Sequence, residues 1–431
     1  MQVKAPRGTY DLLPGQIERW QWLIAQAREV FTQYGYGEII TPIFEHAELI
    51  ERGVGETTDI VSKQMYTFSD KSGRRLTLRP EWTAPVVRAY LEHNLHARPQ
   101  PVKLYYIGPS FRYERPQAGR YRQFHQLGAE AIGSADPALD AEMIAMPIEL
   151  YRRLGLSRFV ILLNSIGCPV CRPAYRQALR AALAPHLEEL CPVCRTRYDL
   201  NPLRILDCKS EKCHELSAGV PASREFLCRE CADHFAQVQA ILEAFGLEYR
   251  LDDRLVRGLD YYTKTVFEVT SPDLGSQSSL LGGGRYDGLV EECGGPPTPG
   301  VGFAAGMERA MSVMEEQGLN PPVKGGPDVF VVTAGGSRAG EYGVRLRGLA
   351  LLNELRRAGL TAETDYMNRS LKAQLKAAGR LSSRFALIIG SEEMAKNTVQ
   401  IKDMQQGTQE ELPLDSDLIG WIQQRIGGSK Q

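Results

Sequence analysis

The segment FRYERPQAGRYRQFHQLGAE, residues 111–130, alternates charge with aromatic rings. Arg112, Arg115, Arg120 and Arg122 bring four guanidinium groups, and Tyr113, Tyr121 and Phe124 bring flat surfaces. Glu114, Gln126 and Glu130 are acceptors, and Gly119 stands where a hairpin could turn. A bound nucleotide needs cations for its phosphates, a ring to stack on its base and acceptors for exocyclic amines. The residues alone leave two readings open: a nucleotide-binding hairpin, or a solvated hairpin with a decorated face.

Working outward, VKLYYI at 102–107 reads as a strand feeding this hairpin. Further upstream, MYTFSDKSGRRLTLR at 65–79 reads as a second hairpin, with Asp70–Gly73 in its turn. A helix is expected from Thr83, with Pro85 in its first turn. Residues 16–34 place Trp20, Leu23, Ile24, Ala27, Val30 and Phe31 on one face at helical spacing, and Gly35 and Gly37 end that helix. EIITPIFEHAELI at 38–50 reads as a strand interrupted at Pro42 and then a helix; Pro42 marks either a kink or simple strand termination. Downstream, 138–156 reads as a helix ending at Gly155, 159–167 as a strand, 232–246 as an amphipathic helix, and 265–270 as a strand.

Lys plus Arg is 51 and Asp plus Glu is 52, so bulk charge does not argue for a nucleic-acid partner, and any such surface must be a local patch. The N-terminus has no signal-peptide core and no run of 18 apolar residues occurs, so no membrane partner and a cytoplasmic location are expected. Eight of the nine cysteines fall between 168 and 231, as CPVC, CPVC, CKSEKC and CREC. Paired thiolates on single turns suit the corners of a tetrahedron. Cys168, Cys171, Cys191, Cys194, Cys208, Cys213, Cys228 and Cys231 would fill two four-cysteine zinc sites; the alternative is reduced cysteines in a small helical domain. His214 and His234 lie nearby and are expected to face solvent. After a Gly- and Pro-rich linker, alternating strands and helices describe a small α/β domain. No Walker-type loop or GxGxxG occurs.

The 111–130 segment resembles motif 2 of class II aminoacyl-tRNA synthetases, and its flank RPQAGRYRQFHQ is similar to that of histidyl-tRNA synthetases. Two further signatures of that family stand here, LVRGLDYYTKTVFE at 255–268 and GGGRYDGLV at 282–290. The resemblance runs from PRGTYDLLP near the start into the last hundred residues. It implies an α+β catalytic core, an antiparallel sheet of six or seven strands flanked by helices, with a Cys-rich insert and a C-terminal α/β domain. The expected divisions are 1–163 and 251–318 for the core, 164–250 for the insert, 319–327 for the linker and 328–431 for an anticodon-binding domain. It further implies a homodimer built through the motif 1 region, residues 38–50.

By the same resemblance the activity is ATP-dependent ligation of L-histidine to its tRNA through a histidyl-adenylate. Arg112 would contact the α-phosphate and Arg257 reach it from the opposite side. Arg309, in the motif 3 helix, would hold the triphosphate and lie over adenine, with Phe124 on the other face and Glu114 accepting from the adenine amine. Mg²⁺ would accompany ATP. Glu81 and Thr83 would lie against the histidine amino group, Glu130 and Tyr262 would read the imidazole nitrogens, and Gln126, Tyr261 and Tyr286 would complete the wall. Trp82 stands where the family usually has glycine, and would either narrow the pocket or point into the core. Zinc in the insert would serve tRNA charging and leave histidine activation nearly intact. Two rivals follow from other classes: a non-catalytic, histidine-sensing regulatory subunit of ATP phosphoribosyltransferase, and a zinc-dependent RNA-binding module with a degenerate enzyme core.

Overall fold

The structure is a computed structural model describing residues 3–55, 58–117, 119–322, 325–334, 342–415 and 417–427. The chain divides into two compact units, Met1–Pro322 and Val323–Gln431. Of the expected linker, residues 323 and 324 lie outside the described residues.

The first unit contains strands β1 (Gly37–Glu38), β2 (Phe44–His46), β3 (Tyr66–Ser69), β4 (Arg75–Leu78), β5 (Val102–Phe111), β6 (Gln123–Ile132), β7 (Val160–Ser165), β8 (Arg250–Leu251), β9 (Thr263–Thr270), β10 (Ser279–Arg285) and β11 (Gly300–Gly306). Eight of them form one sheet in the order β1-β5-β6-β11-β10-β9-β7-β8. The six central strands are antiparallel, and two-residue parallel strands close both edges. The expected six or seven strands become eight because these edge pairs are too short to leave a sequence pattern. β2, β4 and β3 form a separate small sheet, and Asp70 Oδ1 accepts from the amides of Ser72 and Arg74 in its turn. Pro42 falls in the gap between β1 and β2.

Side chains alternate across a strand, which gives this sheet two unlike faces. Leu127, Ala129 and Ala131 of β6, Phe267 and Val269 of β9, and Val301, Phe303 and Ala305 of β11 join one buried apolar cluster. Helix Ile17–Gln33 packs Trp20, Leu23, Ala27, Val30 and Phe31 into the same cluster, as its spacing predicts. Helix Pro137–Arg153 adds eight residues to it; Asp136 accepts from the Ala138 amide, and Pro137 occupies the first turn, where a missing N–H costs nothing. Burying each large apolar side chain contributes about 1.5–3 kcal/mol, so this face anchors the unit. The intervening residues, among them Gln126, Glu130 and Glu268, point to the other face.

The insert is helical, as expected for its alternative reading, and contains helices Arg172–Leu183, Pro192–Leu200, Glu211–Leu216 and Arg229–Ala244. His234 corrects its expectation. It is 7% exposed, with Nε2 at 3.3 Å from Asp140 Oδ1, because it sits on the face of helix Arg229–Ala244 that packs on helix Pro137–Arg153.

In the second unit, strands β12 (Val329–Thr333), β13 (Ala362–Thr364), β14 (Phe385–Ile389), β15 (Thr398–Asp403) and β16 (Gln409–Pro413) form a sheet ordered β13-β12-β14-β15-β16. β12 is parallel to both neighbours, and the last three strands are antiparallel. β16 was not foreseen: QEELP is exposed, polar edge sequence without apolar alternation. Among the described residues no helix is long and apolar enough to cross a membrane.

Candidate active site

A cleft opens on the other face of the eight-stranded sheet. Its walls include Glu81, Thr83, Arg112, Glu114, Phe124, Gln126, Arg257, Tyr261, Tyr262 and Arg309. These residues are drawn from five separate stretches of sequence.

Glu130 lies buried behind the cleft wall, bonded to Thr83 and Tyr106, which line the cleft; Tyr286 lies behind the wall as well. Thr83 Oγ1 donates to Glu130 Oε1 at 2.8 Å, Tyr106 Oη to the same oxygen at 3.3 Å, and Tyr286 Oη to Glu130 Oε2 at 2.6 Å. Burial nevertheless pushes the Glu130 carboxyl up to about 8, with the nearby Glu81 charge adding to the rise. Glu81 accepts from the amides of Thr83 at 2.7 Å and Ala84 at 2.9 Å, so it caps helix Thr83–Glu92. Ser110 Oγ donates to Gln126 Oε1 at 2.8 Å. The Tyr261 ring packs against Tyr262 and Tyr286 with centroids 4.7 and 5.7 Å away. Trp82 is buried, stacked on Tyr106 at 4.7 Å with the Arg79 guanidinium carbon 3.4 Å from its ring centroid. It is thus packed in the core and also lines the cleft beside Tyr106.

The same wall carries arginines. Arg112 Nε donates to the Pro80 carbonyl at 2.9 Å, and its guanidinium carbon lies 5.2 Å from the Phe124 ring centroid. Arg309 Nη1 donates to the Ser279 carbonyl at 2.6 Å. Arg257 pairs with Glu268, and Arg120 lies 3.1 Å from Glu114. Burial lowers the basicity of Arg309, and the charges of Arg120 and Arg112 lower it further. Like charges crowded under partial burial favour an anion between them. Of the other arginines in 111–130, Arg122 stacks over Tyr113 at 3.9 Å and Arg115 is exposed.

Glycines make room for these side chains. Gly302 pairs with Glu130 across β11 and β6, and a Cβ at Gly302 would land on the Glu130 carboxylate. Gly282 pairs with Glu268 across β10 and β9, and a Cβ there would land on the Arg257 guanidinium. A Cβ at Gly128 or Gly300 would strike Tyr106 or Tyr286.

Sequence reasoning missed Tyr106, Glu268 and Glu308. Glu308 accepts from Tyr10 Oη and from the His125 amide, both at 2.9 Å. A charged residue inside the apolar strand TVFEVT was the available signal for Glu268. The eight cysteines converge as two quartets: Cys168, Cys171, Cys228 and Cys231 in one, Cys191, Cys194, Cys208 and Cys213 in the other. Within each, the sulfurs lie within 4.8 Å of one another.

The family model described as histidyl-tRNA synthetase matches residues 8–310, and one described as an anticodon binding domain matches 328–425. The chain belongs to the histidyl-tRNA synthetase family. A Desulforamulus reducens protein named histidine–tRNA ligase is 56% identical over 425 residues, covering 99% of this chain and 100% of that one. A protein of the same name from Pelotomaculum thermopropionicum is 54% identical over 431 residues, the full length of both. The crystal structure of apo histidyl-tRNA synthetase from S. aureus matches with a TM-score of 0.81 and 39% identity, over 98% of this chain and 100% of that one. The antiparallel sheet with its flanking helices is thus the class II synthetase core of this family.

Proposed function

We propose that the cleft activates L-histidine with ATP and that the chain transfers the histidyl group to its tRNA. The observation that carries this is one cleft whose wall joins Glu81, Thr83, Gln126, Tyr261 and Tyr262, with the Glu130 carboxyl group bonded just behind Thr83 and Tyr106, to a cluster of arginines beside Phe124. The imidazole would meet Glu130 and the tyrosines, and the amino group would meet Glu81. A site that hydrogen-bonds both ring nitrogens rejects analogues that lack them.

In activation, a histidine carboxylate oxygen bonds to the α-phosphorus while the bond to the bridging oxygen of pyrophosphate breaks. Negative charge grows on the α-phosphoryl oxygens. Arg112 and Arg257 would stabilise it, and Arg309 would hold the triphosphate. Phe124 offers a ring to adenine. Glu114 lines the cleft and would accept from the adenine amine, and Mg²⁺ bound with ATP would supply charge neutralisation at the outer phosphates.

Ile40, Ile43 and Phe44 are exposed large hydrophobics in the motif 1 region, which supports a homodimer through that region. The second unit would contact the anticodon of the histidine tRNA, and the protein would work in the cytoplasm. Both cysteine quartets suit structural zinc. Zn–S bonds of about 2.3 Å put tetrahedral sulfurs about 3.8 Å apart; three sulfur pairs of the Cys168 quartet and one of the Cys191 quartet lie at 3.7 to 3.9 Å, and all lie within 4.8 Å in each quartet.

The match to an anticodon binding domain favours the ligase over the regulatory subunit. Histidine-dependent exchange of pyrophosphate into ATP tests it: exchange is expected, and a protein that binds histidine without exchange would return the regulatory reading.

A further inference from the structure

The two cysteine quartets are nested. The outer one joins Cys168 and Cys171, just after β7, to Cys228 and Cys231 at the start of helix Arg229–Ala244; the inner one lies wholly between them in sequence. Each quartet is tied to the segment that carries Arg257, Tyr261 and Tyr262.

The inner quartet brackets residues 195–207. Within that span, buried Arg204 donates from Nη1 to the Arg257 carbonyl at 2.8 Å, and Asn201 Nδ2 donates to Asp260 Oδ1 at 3.0 Å. Arg254, three residues before Arg257, donates to the Ser217 carbonyl at 2.9 Å, and Ser217 Oγ donates to the Cys213 carbonyl at 2.7 Å. At the outer quartet, Arg172 follows Cys171 and donates from Nη2 to the Tyr262 carbonyl at 2.6 Å. Backbone bonds of 2.9 Å join Ile166 to Lys264 and Lys264 to Gly167, strapping the root of that quartet to the start of β9. The stretch 254–262 has no regular secondary structure of its own. Its carbonyls at Arg257 and Tyr262 are held by side chains of the insert.

We propose that both quartets bind zinc and that the metal-held insert fixes the 254–262 segment, so that zinc occupancy governs histidine activation as well as tRNA charging. This rests on the zinc and ligase readings above, and it reverses the expectation that zinc loss would leave activation intact. Four thiolates leave zinc no open position, so the ion supplies no chemistry to the reaction. Its effect passes through Arg204, Asn201 and Arg172 as positioning residues. Misplacing a reacting group by about 1 Å can cost on the order of a hundredfold in rate.

The test uses the full chain purified without chelator. Elemental analysis should return two zinc ions per chain, one for each quartet. Absence of zinc, with eight freely titrating thiols, would end the metal reading and the inference with it. Zinc is then released by a mercurial reagent and counted with a chromogenic dye while pyrophosphate exchange is followed on the same sample. Exchange should fall in step with release, and exchange that persists after full release would overturn the inference alone. Arg204→Met should retain both zinc ions yet lower kcat for exchange by roughly ten- to a hundredfold, with KM for histidine little changed. Arg204→Lys, which keeps a donor, should recover most of the rate. If Arg204→Met does not fold, Asn201→Ala takes its place with the same readouts. Wild-type kcat in a folded, zinc-loaded variant would remove the bracing role while leaving zinc in place.

Discussion

Arg257 and Glu268 form an ion pair directly over Gly282, the residue that the β9–β10 register sets opposite Glu268. The pair holds the guanidinium at the cleft before any substrate arrives. In the proposed reaction an entering phosphate would meet a cation already oriented, with little reorganisation left for the transition state.

Arg257→Ala should therefore slow adenylate formation by about a hundredfold or more, as loss of other transition-state donors does. Histidine binding should change far less, because Glu130 and its hydroxyl donors are untouched. Single-turnover activation reads this, and a wild-type rate would take Arg257 out of the mechanism.

Glu130 predicts a pH effect on the histidine-free protein. Its carboxyl is raised to about 8, whereas an unfolded glutamate titrates near about 4.3. The folded state thus keeps its proton longer than the unfolded state. Stability linked to Glu130 is complete below the unfolded pKa and is lost as pH rises to about 8. Glu130→Gln cannot titrate and should not lose it. The melting temperature of wild type relative to Glu130→Gln should fall between about pH 4.5 and 8, then level off. A flat difference would mean that Glu130 is ionised throughout.

Asp140 and Arg285 are both fully buried and paired, with Nε to Oδ2 at 3.0 Å. Burial alone would raise the Asp140 carboxyl, but His234 and Arg285 hold it below the usual range. Asp140→Ala leaves buried Arg285 with Asp287 as its remaining carboxylate partner and should cost up to about 3–5 kcal/mol. A urea midpoint within error of wild type would contradict this.

A chain ending at Pro322 keeps every cleft residue and the whole first unit. It should still activate histidine and charge tRNA poorly. Full charging efficiency would assign the last hundred residues another task.

Local patterns made much of this legible. The helix from Ile17, the hairpin turn at Asp70–Gly73 and the strands around 111–130 follow from spacing and turn chemistry. The cleft arginines could be picked out because each sits in a dense local motif. Tyr106 could not, since its role comes from register between strands, and the two-residue edge strands of the large sheet are too short to leave a pattern; Glu268 left only the signal of a charge inside an apolar strand. His234 looked like surface sequence because its partner, Asp140, lies 94 residues away.

The glycines opposite Glu130 and Glu268 give the cleft an unusual kind of fragility. Its shape there is set by carbon atoms that are missing from Gly128, Gly282, Gly300 and Gly302. An alanine scan, meant to strip side chains away, would at these four places insert one. The smallest substitution in the repertoire would then displace the carboxylate, the guanidinium or a tyrosine ring, while the removal of many larger neighbours would leave the backbone in place.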